Sequence, residues 1–558
     1  MSTSLSRSAP RVSVDTRRRW LAPLAVLLGA VLLYCVNLDD GLTVHDELHH
    51  ILAGRGLLET GEPRIADGLY SRAFLHTWLV AQSLRLLGDT LFAARLPSVV
   101  PMALLVMVLF VWLRATAGSA AAWTTALLFA VSPYAVDYAQ FVRFYALQML
   151  AFLVAALALQ RALLDPGGVL RRIALSLAAL ALLALAVELQ ETTLIGVGGL
   201  AVWAALAVGL PWLADPGVPR RRRLALLAAL ALLGLVALLG LWATGQLEAL
   251  WYRYRTTPLF NQPTAGQFWY YHAWFLLYYP ALWPATGLLA LLAVTAAPRP
   301  ALLALAVFAT AFLASSFAAA KAQRYLAYAL PFLFVLWGIG LAAAWPALRS
   351  GLAGLARGLG PALGLAGAAA QRLGTGLVAL AVLFLVLANP AWLRTVSLLS
   401  DVTIPPEEPH VRWSLAVPTL APLLAEAEVV VTTSELETLY HLGRYDLLIS
   451  ASRRSELPFH ERRELGIDPR TGRPVIAEAA TMARVMDCAA SGIVLSVAHQ
   501  WSRTFQADTA MKALVEARAQ PVPLPARSRV LAWTWAQPPG WTRPAGCAGL
   551  ERLWRRAG

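Results

Sequence analysis

The chain has 558 residues, of which 58% are hydrophobic and only 14% are charged, and its mean hydropathy is +0.60. A soluble globular protein of this length is far less apolar, so a bilayer must be the solvent for much of the chain. The net charge of +14 belongs to residues 1–390, which hold 27 Lys and Arg against 15 Asp and Glu, whereas residues 391–558 hold 19 against 17. Arginines in short loops are typical of membrane topology rather than of a nucleic-acid surface, so no nucleic-acid partner is expected.

The apolar runs predict the membrane spans. Three arginines at 17–19 precede the first run, residues 20–36. No cleavage site of small residues follows and further runs come after it, so this run is predicted to be a transmembrane helix with its N-terminus inside. Ten more runs bring the prediction to eleven spans. They lie near residues 96–113, 120–133, 144–160, 173–189, 192–213, 224–243, 271–296, 301–318, 326–345 and 374–390.

The segment 74–88 is apolar but short, and it contains His76, Gln82 and Arg85. If it lies along the membrane surface, 17 basic residues of the membrane half fall inside and 10 outside, as the positive-inside rule requires. We therefore interpret it as an interfacial helix. The odd number of spans then predicts a transmembrane domain at 1–390 and an extracytoplasmic domain at 391–558, in a multi-pass protein of the cell (inner or plasma) membrane.

The first outer loop carries two adjacent carboxylates, Asp46 and Glu47, among three imidazoles, His45, His49 and His50. In such a pair one group can take a proton from a hydroxyl nucleophile while the other orients a partner or holds a cation. A solvated loop rich in helix-capping residues would have the same composition. The spacing matches no closed metal motif, so no cofactor is certain, although a divalent cation remains possible and any metal ligands are unknown.

A second outer segment, residues 132–145, alternates aromatic residues with one acid and one base. Asp137, Arg143 and Tyr145 are candidate substrate-binding residues, because ionisable groups at a span end often line a site and aromatic rings stack on sugars. The alternatives are an ion pair between Asp137 and Arg143 and an interfacial belt of aromatic residues.

A third outer segment contains Lys321 and Arg324, and Lys321 is one of two lysines in a chain that otherwise uses arginine. A compact point charge at a membrane edge suits phosphate binding. The alternative is a side chain that snorkels toward the interface.

These segments resemble the GT-C glycosyltransferases of the protein O-mannosyltransferase and lipid A aminoarabinose transferase type (family 39-like). The resemblance covers the membrane half and is strongest in the pair Asp46-Glu47, in Arg72, and in the Arg-Leu-Pro-Ser run at 95–98. The chain departs from the family at residues 73 and 74, where Ala and Phe stand in place of two prolines.

The resemblance implies a fold, a reaction and a set of residue roles. The fold is a polytopic α-helical membrane protein, GT-C-like, with about eleven transmembrane helices and a C-terminal α/β soluble domain. Asp46, beside Glu47, would activate the acceptor hydroxyl, and Arg72, Lys321 and Arg324 would bind the donor phosphate.

The implied enzyme is an inverting hexosyl- or pentosyltransferase at the outer face of the membrane. It would move a sugar from a polyprenyl-phosphate donor to a hydroxyl of a protein, lipid or glycan, surrounded by membrane lipids. The alternative function is a transporter or flippase for a lipid-linked sugar. Such proteins usually show internal repeats and charges within spans, and neither pattern is clear in this sequence.

Residues after 391 read as a small α/β domain. The apolar run 429–432 predicts a strand, and Ser434 with Glu437 predicts a capping box that opens a helix. Further strands are predicted at 446–449, 493–498 and 530–535.

Two of the three cysteines, Cys488 and Cys547, fall in this domain. They are predicted to form a disulfide if the domain faces an oxidising compartment.

Overall fold

The computed structural model describes residues 15–39, 42–256, 264–359, 367–400, 402–403, 410–457, 465–502, 504 and 506–554. The helices up to residue 400 are α1 (Asp15–Tyr34), α2 (His45–Thr60), α3 (Phe74–Leu87), α4 (Leu91–Thr116), α5 (Ser119–Ala130), α6 (Pro133–Gln140), α7 (Tyr145–Leu164), α8 (Val169–Leu189), α9 (Thr193–Ala204), α10 (Leu210–Ala214), α11 (Arg220–Ala243), α12 (Gln246–Arg255), α13 (Tyr270–Tyr278), α14 (Thr286–Ala296), α15 (Pro298–Phe317), α16 (Leu330–Leu359), α17 (Ala368–Leu387) and α18 (Ala391–Ser400). The later helices are α19 (Trp413–Glu426), α20 (Glu435–Leu442), α21 (Ala451–Glu456), α22 (Ala479–Cys488), α23 (Ala498–Trp501), α24 (Thr509–Arg518) and α25 (Ala548–Trp554). The strands are β1 (Arg64–Ile65), β2 (Gly68–Leu69), β3 (Val429–Thr432), β4 (Leu447–Ile449), β5 (Gly466–Ile467), β6 (Pro474–Ile476), β7 (Ser491–Val497), β8 (Gln520–Pro521) and β9 (Val530–Ala536).

The membrane half is a bundle of long apolar helices. Within the described ranges, six helical stretches are long and apolar enough to cross a membrane, and α5 with α6, bent by 57°, makes a seventh. Shorter apolar stretches lie at Trp20–Tyr34, Gly234–Ala243 and Thr286–Ala296. The chain is therefore a multi-pass membrane protein, and the total of eleven spans stays a prediction.

The span predicted at 271–296 is wrong as a single helix. Pro280 and Pro284 fall inside it, and each removes a backbone donor and fixes φ, so the chain leaves the helix between α13 and α14. Asn389 repairs part of the break, because its Oδ1 accepts hydrogen bonds from the backbone N–H groups of residues 281 and 282 at 3.1 and 3.3 Å. Irregular backbone in a membrane protein needs such internal partners.

Small residues allow the central helices to approach closely. A Cβ atom at Gly338 of α16 would collide with Thr125 of α5, and one at Gly199 of α9 would press on the backbone of Val307 in α15. Close helix packing of this kind replaces the hydrophobic driving force that is missing between helices in lipid.

The segment predicted to be an interfacial helix forms α3, which has 14 residues and packs between α2 and α4. This length is too short to cross the hydrocarbon core. Helix α2 leads into the small hairpin of β1 and β2, so the first outer loop folds as a helix, a hairpin and a second helix.

The C-terminal domain is built on a mixed sheet with the strand order β5-β6-β4-β3-β7-β9-β8. Its central strands β6, β4, β3 and β7 are parallel, and the outer strands are antiparallel. The four predicted strands are confirmed as β3, β4, β7 and β9. Strands β5, β6 and β8 were not predicted, because two or three residues show no periodicity.

Two local features of this domain were tested by the structure. The disulfide between Cys488 and Cys547 is present, with the two Cα atoms 5.4 Å apart. Helix α20 begins as predicted, but the capping box is wrong: Ser434 makes no cap hydrogen bond, and its hydroxyl donates to Oε1 of Gln500 at 2.5 Å.

Helix α18 lies inside the range predicted for the C-terminal domain, yet it packs on α6 of the membrane domain. The hydroxyl of Thr395 donates to the carbonyl of Val131 at 2.7 Å. The α/β unit itself therefore starts after α18.

Candidate active site

A polar cavity of about 680 Å³ lies between the membrane domain and the C-terminal domain. We call it the polar cavity. From the membrane domain it is lined by His45, Asp46, His49, Leu69, Tyr70, Ser71, Arg72, Arg143, Tyr145, Gln190, Arg324 and Tyr325. From the C-terminal domain it is lined by Glu435, Ser450, Ser452, Arg453, Glu456, Arg470 and Gln506.

A second cavity of about 830 Å³, the apolar groove, shares Arg72, Gln190 and Tyr325 with the polar cavity. Apart from these shared residues its lining is mainly aliphatic and aromatic, with two carboxylates, Glu188 and Glu191, beside Gln190. It comes from the end of α8 and the turn after it, from α9, α12 and α13, and from the end of α15 and the residues after it. The polar cavity and the apolar groove therefore meet at Arg72.

Asp46 is the second residue of α2 and reaches the polar cavity. Its Oδ2 is 3.2 Å from Nη1 of Arg324, and its backbone carbonyl accepts a hydrogen bond from Nη1 of Arg143 at 3.0 Å. Burial would raise the pKa of the Asp46 carboxyl, but Arg143, Arg324 and His45 together hold that pKa well below its usual range. Asp46 is thus an ionised carboxylate, and the neighbouring arginines make it a weaker base than an isolated aspartate.

Glu47 is adjacent in sequence but lies in a different environment. It is fully buried, and its carboxylate pairs with Arg95 at 3.1 Å and accepts the backbone N–H of Val44 at 3.0 Å. Arg95 also donates to the carbonyls of Leu38 and Leu42. Glu47 therefore caps α2 and ties it to α4, and it does not line the polar cavity.

Arg72 stands at the junction of the two cavities. Its Nη2 donates to Oε1 of Gln190 at 2.7 Å, and its guanidinium lies 5.3 Å from the ring centre of Phe144. Ala73 turns the chain with φ 49°, in the left-handed region. A proline ring fixes φ near −65°, which explains why the family's proline cannot stand at position 73 in this backbone.

Lys321 lines neither cavity, although it contacts residues that line the apolar groove. Its ammonium group donates to the carbonyls of Ser315 and Ser316, at 2.9 and 2.6 Å, and to that of Ala318. These carbonyls belong to the C-terminal end of α15 and the residue after it, where a cation is favoured by the helix dipole. Burial lowers the pKa of Lys321 to about 8. Its predicted phosphate contact stays a prediction.

The three candidate substrate-binding residues are separated by the fold. Arg143 and Tyr145 line the polar cavity, and Arg143 also donates to the hydroxyl of Tyr70 at 3.3 Å. Asp137 lies on α6 outside that lining, near the charge of Arg394 on α18. The ion pair considered from the sequence for Asp137 and Arg143 is not among the contacts of either residue in the described ranges.

The wall from the C-terminal domain was missed by sequence reasoning. Ser450 directly follows the predicted strand β4, and Glu435 follows β3 after two residues. In an open α/β sheet, ligands usually bind at the carboxyl ends of adjacent parallel strands. The predicted strands therefore already indicated that Ser450 and Glu435 could lie at a binding site. The sequence does not show how the C-terminal domain docks on the membrane domain, so it could not predict that this edge faces Asp46.

The two domains are held together by polar contacts at the start of α2. His45 pairs with Glu437 at 2.9 Å, and Arg470 donates to His49 at 2.9 Å and to Glu435 at 3.1 Å. Burial would lower the pKa of His45, but Glu437 and Glu435 raise it to about 10. Through these contacts the C-terminal domain fixes the position of α2, the helix that carries Asp46.

The backbone of the β1–β2 hairpin completes this junction. The N–H of Asp67 donates to the carbonyl of Thr471 at 2.9 Å, and a Cβ at Gly68 would collide with the backbone of Arg470. Only glycine allows this close approach, which fixes where Arg470 enters the polar cavity.

Within the described residues, no three His, Cys, Asp or Glu side chains converge in a way that could hold a metal ion. His45 and His49 flank Asp46 in sequence, but each is engaged by the C-terminal domain.

Comparison with known proteins supports the fold. No family model matches the sequence, and no curated protein sequence matches it. Two similar solved structures are ArnT from Cupriavidus metallidurans bound to undecaprenyl phosphate (TM-score 0.57, 17% identity) and the same protein in the apo state (0.56, 16%), each covering 92% of this chain and 97% of that chain. A third is the archaeal oligosaccharyltransferase AglB from Archaeoglobus fulgidus in complex with an inhibitory peptide and a dolichol-phosphate (0.51, 14%), covering 90% of this chain and 73% of that chain. The chain therefore has the GT-C fold, a polytopic α-helical membrane domain followed by an α/β domain, as the sequence resemblance predicted.

Proposed function

We propose that the chain is a glycosyltransferase that moves a sugar from a polyprenyl-phosphate donor to an acceptor hydroxyl with inversion. One observation carries the proposal: Arg72 stands where an apolar groove opens into a polar cavity that contains an ionised carboxylate, Asp46. A lipid-linked phosphate sugar needs this sequence of environments, first apolar for the chain, then cationic for the phosphate, then polar for the sugar.

The proposed reaction is an in-line displacement. The lipid would lie in the apolar groove with its phosphate against Arg72 and Arg324, so that the anomeric carbon faces Asp46. The acceptor oxygen forms a bond to this carbon while the carbon–oxygen bond to phosphate breaks. The electron pair leaves with the polyprenyl phosphate, whose charge the arginines stabilise, and the acceptor proton goes to Asp46.

The pair between Arg324 and Asp46 gives the donor a second role. When phosphate draws Arg324 away, Asp46 loses one of the charges that depress its pKa and becomes a stronger base. General-base strength is thereby coupled to the presence of the donor.

The ligands bound in two similar structures favour this donor class. ArnT was solved with undecaprenyl phosphate and AglB with a dolichol-phosphate, and both are long polyprenyl-type phosphates.

The proposal is tested with purified full-length protein, a panel of radiolabelled polyprenyl-phosphate hexoses and pentoses, and membrane extract as acceptor. We expect label to move from one donor into a non-donor product, with inverted anomeric configuration by NMR. Absence of transfer from every donor, or retention of configuration, contradicts it.

We also propose that the C-terminal domain lies outside the cell membrane. The arginine distribution favours this orientation, and so does the disulfide between Cys488 and Cys547, since disulfides persist in oxidising compartments. Trypsin added to intact spheroplasts should cleave this domain. Cleavage only after lysis would reverse the topology.

A further inference from the structure

The two halves of the polar cavity differ in charge. The membrane half presents the guanidinium groups of Arg72, Arg143 and Arg324 against one carboxylate, Asp46, so positive charge is in excess even before His45 is counted. This excess suits the phosphate of the donor.

The half formed by the C-terminal domain is balanced. Arg453 and Arg470 face Glu435 and Glu456, so the charges of this wall cancel. Arg453 and Glu456 pair with each other at 2.5 Å, and Arg470 is held by Glu435. An anion would gain little here, because each guanidinium already has a carboxylate beside it.

The remaining lining groups of this wall are hydroxyls and an amide. Ser450 donates to Oε1 of Gln506 at 2.6 Å and accepts the backbone N–H of Arg453 at 3.1 Å, which fixes both side chains in place. Of the described residues that line the cavity from this domain, none is aliphatic or aromatic. A lipid tail or the apolar anchors of a peptide would therefore find no complementary surface.

We infer that this wall, built by Ser450, Ser452, Arg453, Glu456 and Gln506 at the carboxyl end of β4, is an acceptor subsite for a neutral sugar. Sugar hydroxyls both donate and accept hydrogen bonds, and neighbouring carboxylate, guanidinium, amide and hydroxyl groups meet both needs. The inference rests on the proposed function, because it takes Asp46 as the group that receives the acceptor's proton.

The position of the wall agrees with this use. The donor enters past Arg72 on the membrane side, so an acceptor that attacks the anomeric carbon from the opposite side comes from the C-terminal domain. The acceptor sugar is either free glycan or the headgroup of a glycolipid, and both offer the same hydroxyls.

The first test measures transfer by the full-length protein from its active polyprenyl-phosphate sugar. The acceptor probes are oligosaccharides released from the cell envelope by mild acid, the intact glycolipids, and tryptic peptides of envelope proteins. We expect label in the oligosaccharides or glycolipids, and preference between these two identifies the source. Label in the peptides overturns the inference.

The matched variants are Arg453→Gln and Arg518→Gln. Arg453→Gln removes a charged donor from the wall and should raise the half-saturating concentration of the sugar acceptor about tenfold to a hundredfold. Arg518 pairs with Asp487 on the surface of the same domain, so Arg518→Gln should match wild type. An unchanged acceptor constant in Arg453→Gln, or a change in the donor constant alone, overturns the subsite.

A binding measurement separates this inference from the proposed function. Saturation-transfer NMR with the released oligosaccharides and the Asp46→Asn protein should show binding that is lost when Arg453→Gln is added. If no donor supports transfer but this binding is seen, the proposed reaction fails and the sugar subsite stands. If transfer occurs but neither the oligosaccharides nor the intact glycolipids bind, the subsite is wrong.

Discussion

Two pairs of charged side chains near the polar cavity, Asp46 with Glu47 at the start of α2 and Lys321 with Arg324 after α15, are divided in the same way. In the first, Asp46 reaches the cavity while Glu47 is buried against Arg95. In the second, Arg324 reaches the cavity while Lys321 donates hydrogen bonds to the carbonyl groups at the end of the preceding helix, α15. In each pair, one charge is available to a ligand and its neighbour satisfies the fold, a difference that adjacency in sequence does not reveal.

Removing the cavity-facing carboxylate should have the largest effect. Asp46→Asn keeps the shape and loses the base, so we expect turnover to fall about a hundredfold to ten-thousandfold while folding and donor binding are kept. Transfer kinetics and thermal unfolding measure the two parts. Asp89→Asn, which removes a surface carboxylate paired with Arg55, is the control. Near-normal turnover in Asp46→Asn would remove the distinction between Asp46 and Glu47.

The cavity-facing arginine should come next. Arg324→Gln removes a positive charge from the leaving phosphate, and we expect turnover to fall about a hundredfold to a thousandfold. Arg85→Gln, on the exposed side of α3, should behave as wild type. If Arg324 only restrains Asp46, the variant would instead keep or raise turnover.

The buried carboxylate should act on stability. Glu47→Ala removes the carboxylate that neutralises the buried guanidinium of Arg95, and breaking a buried ion pair in this way typically costs about 3–5 kcal/mol. We expect a lower unfolding midpoint in detergent and a loss of folded protein. Glu59→Ala, on the exposed end of the same helix, should change the midpoint little. A stable Glu47→Ala protein with lost turnover would place Glu47 in the chemistry.

The folded-back lysine should have a smaller effect of the same kind. Lys321→Met leaves three carbonyls without a charged donor, for a loss of about 1–3 kcal/mol in stability and less than about threefold change in donor use. Lys512→Met, the other lysine, is the matched control. A large loss of donor use with unchanged stability would restore Lys321 to the predicted phosphate-binding role.

The smallest effect concerns pH and the first residue of α2. The pKa of His45 is raised to about 10 by Glu437 and Glu435, with Asp46 also nearby and His49 in ring contact. The contribution of protonated His45 to the stability of the folded protein is therefore complete below about pH 6.5 and is lost as the pH rises through about 10. Protease sensitivity of the domain junction should increase between pH 8 and 10.5 in wild type. The same increase in His45→Gln would show that another group is responsible.

The sequence was informative where a property is local. Apolar runs located the helices and the strands β3, β4, β7 and β9, because burial leaves a periodic signal in the chain. Prolines 280 and 284 also carried a local signal for the break between α13 and α14, and the predicted span at 271–296 overlooked it.

Which side chains face the polar cavity is not determined by the neighbouring sequence. Whether Glu47 or Asp46 faces the cavity depends on Arg95, 48 positions away from Glu47. The wall of Ser450 and Arg453 depends in the same way on how one domain docks on the other. These relations arise only when distant segments meet, so no pattern within a short window could have predicted them.

The junction between α2 and the C-terminal domain has a consequence for biosynthesis. Arg470 is 421 residues from its partner His49. At roughly 5–20 residues per second, synthesis of the intervening chain takes roughly 20–80 seconds. During that interval Asp46 can be made and inserted beside the membrane without the wall that closes the polar cavity. A ribosome-bound chain is thus kept from forming its complete site, and catalytic competence becomes a property of the finished polypeptide.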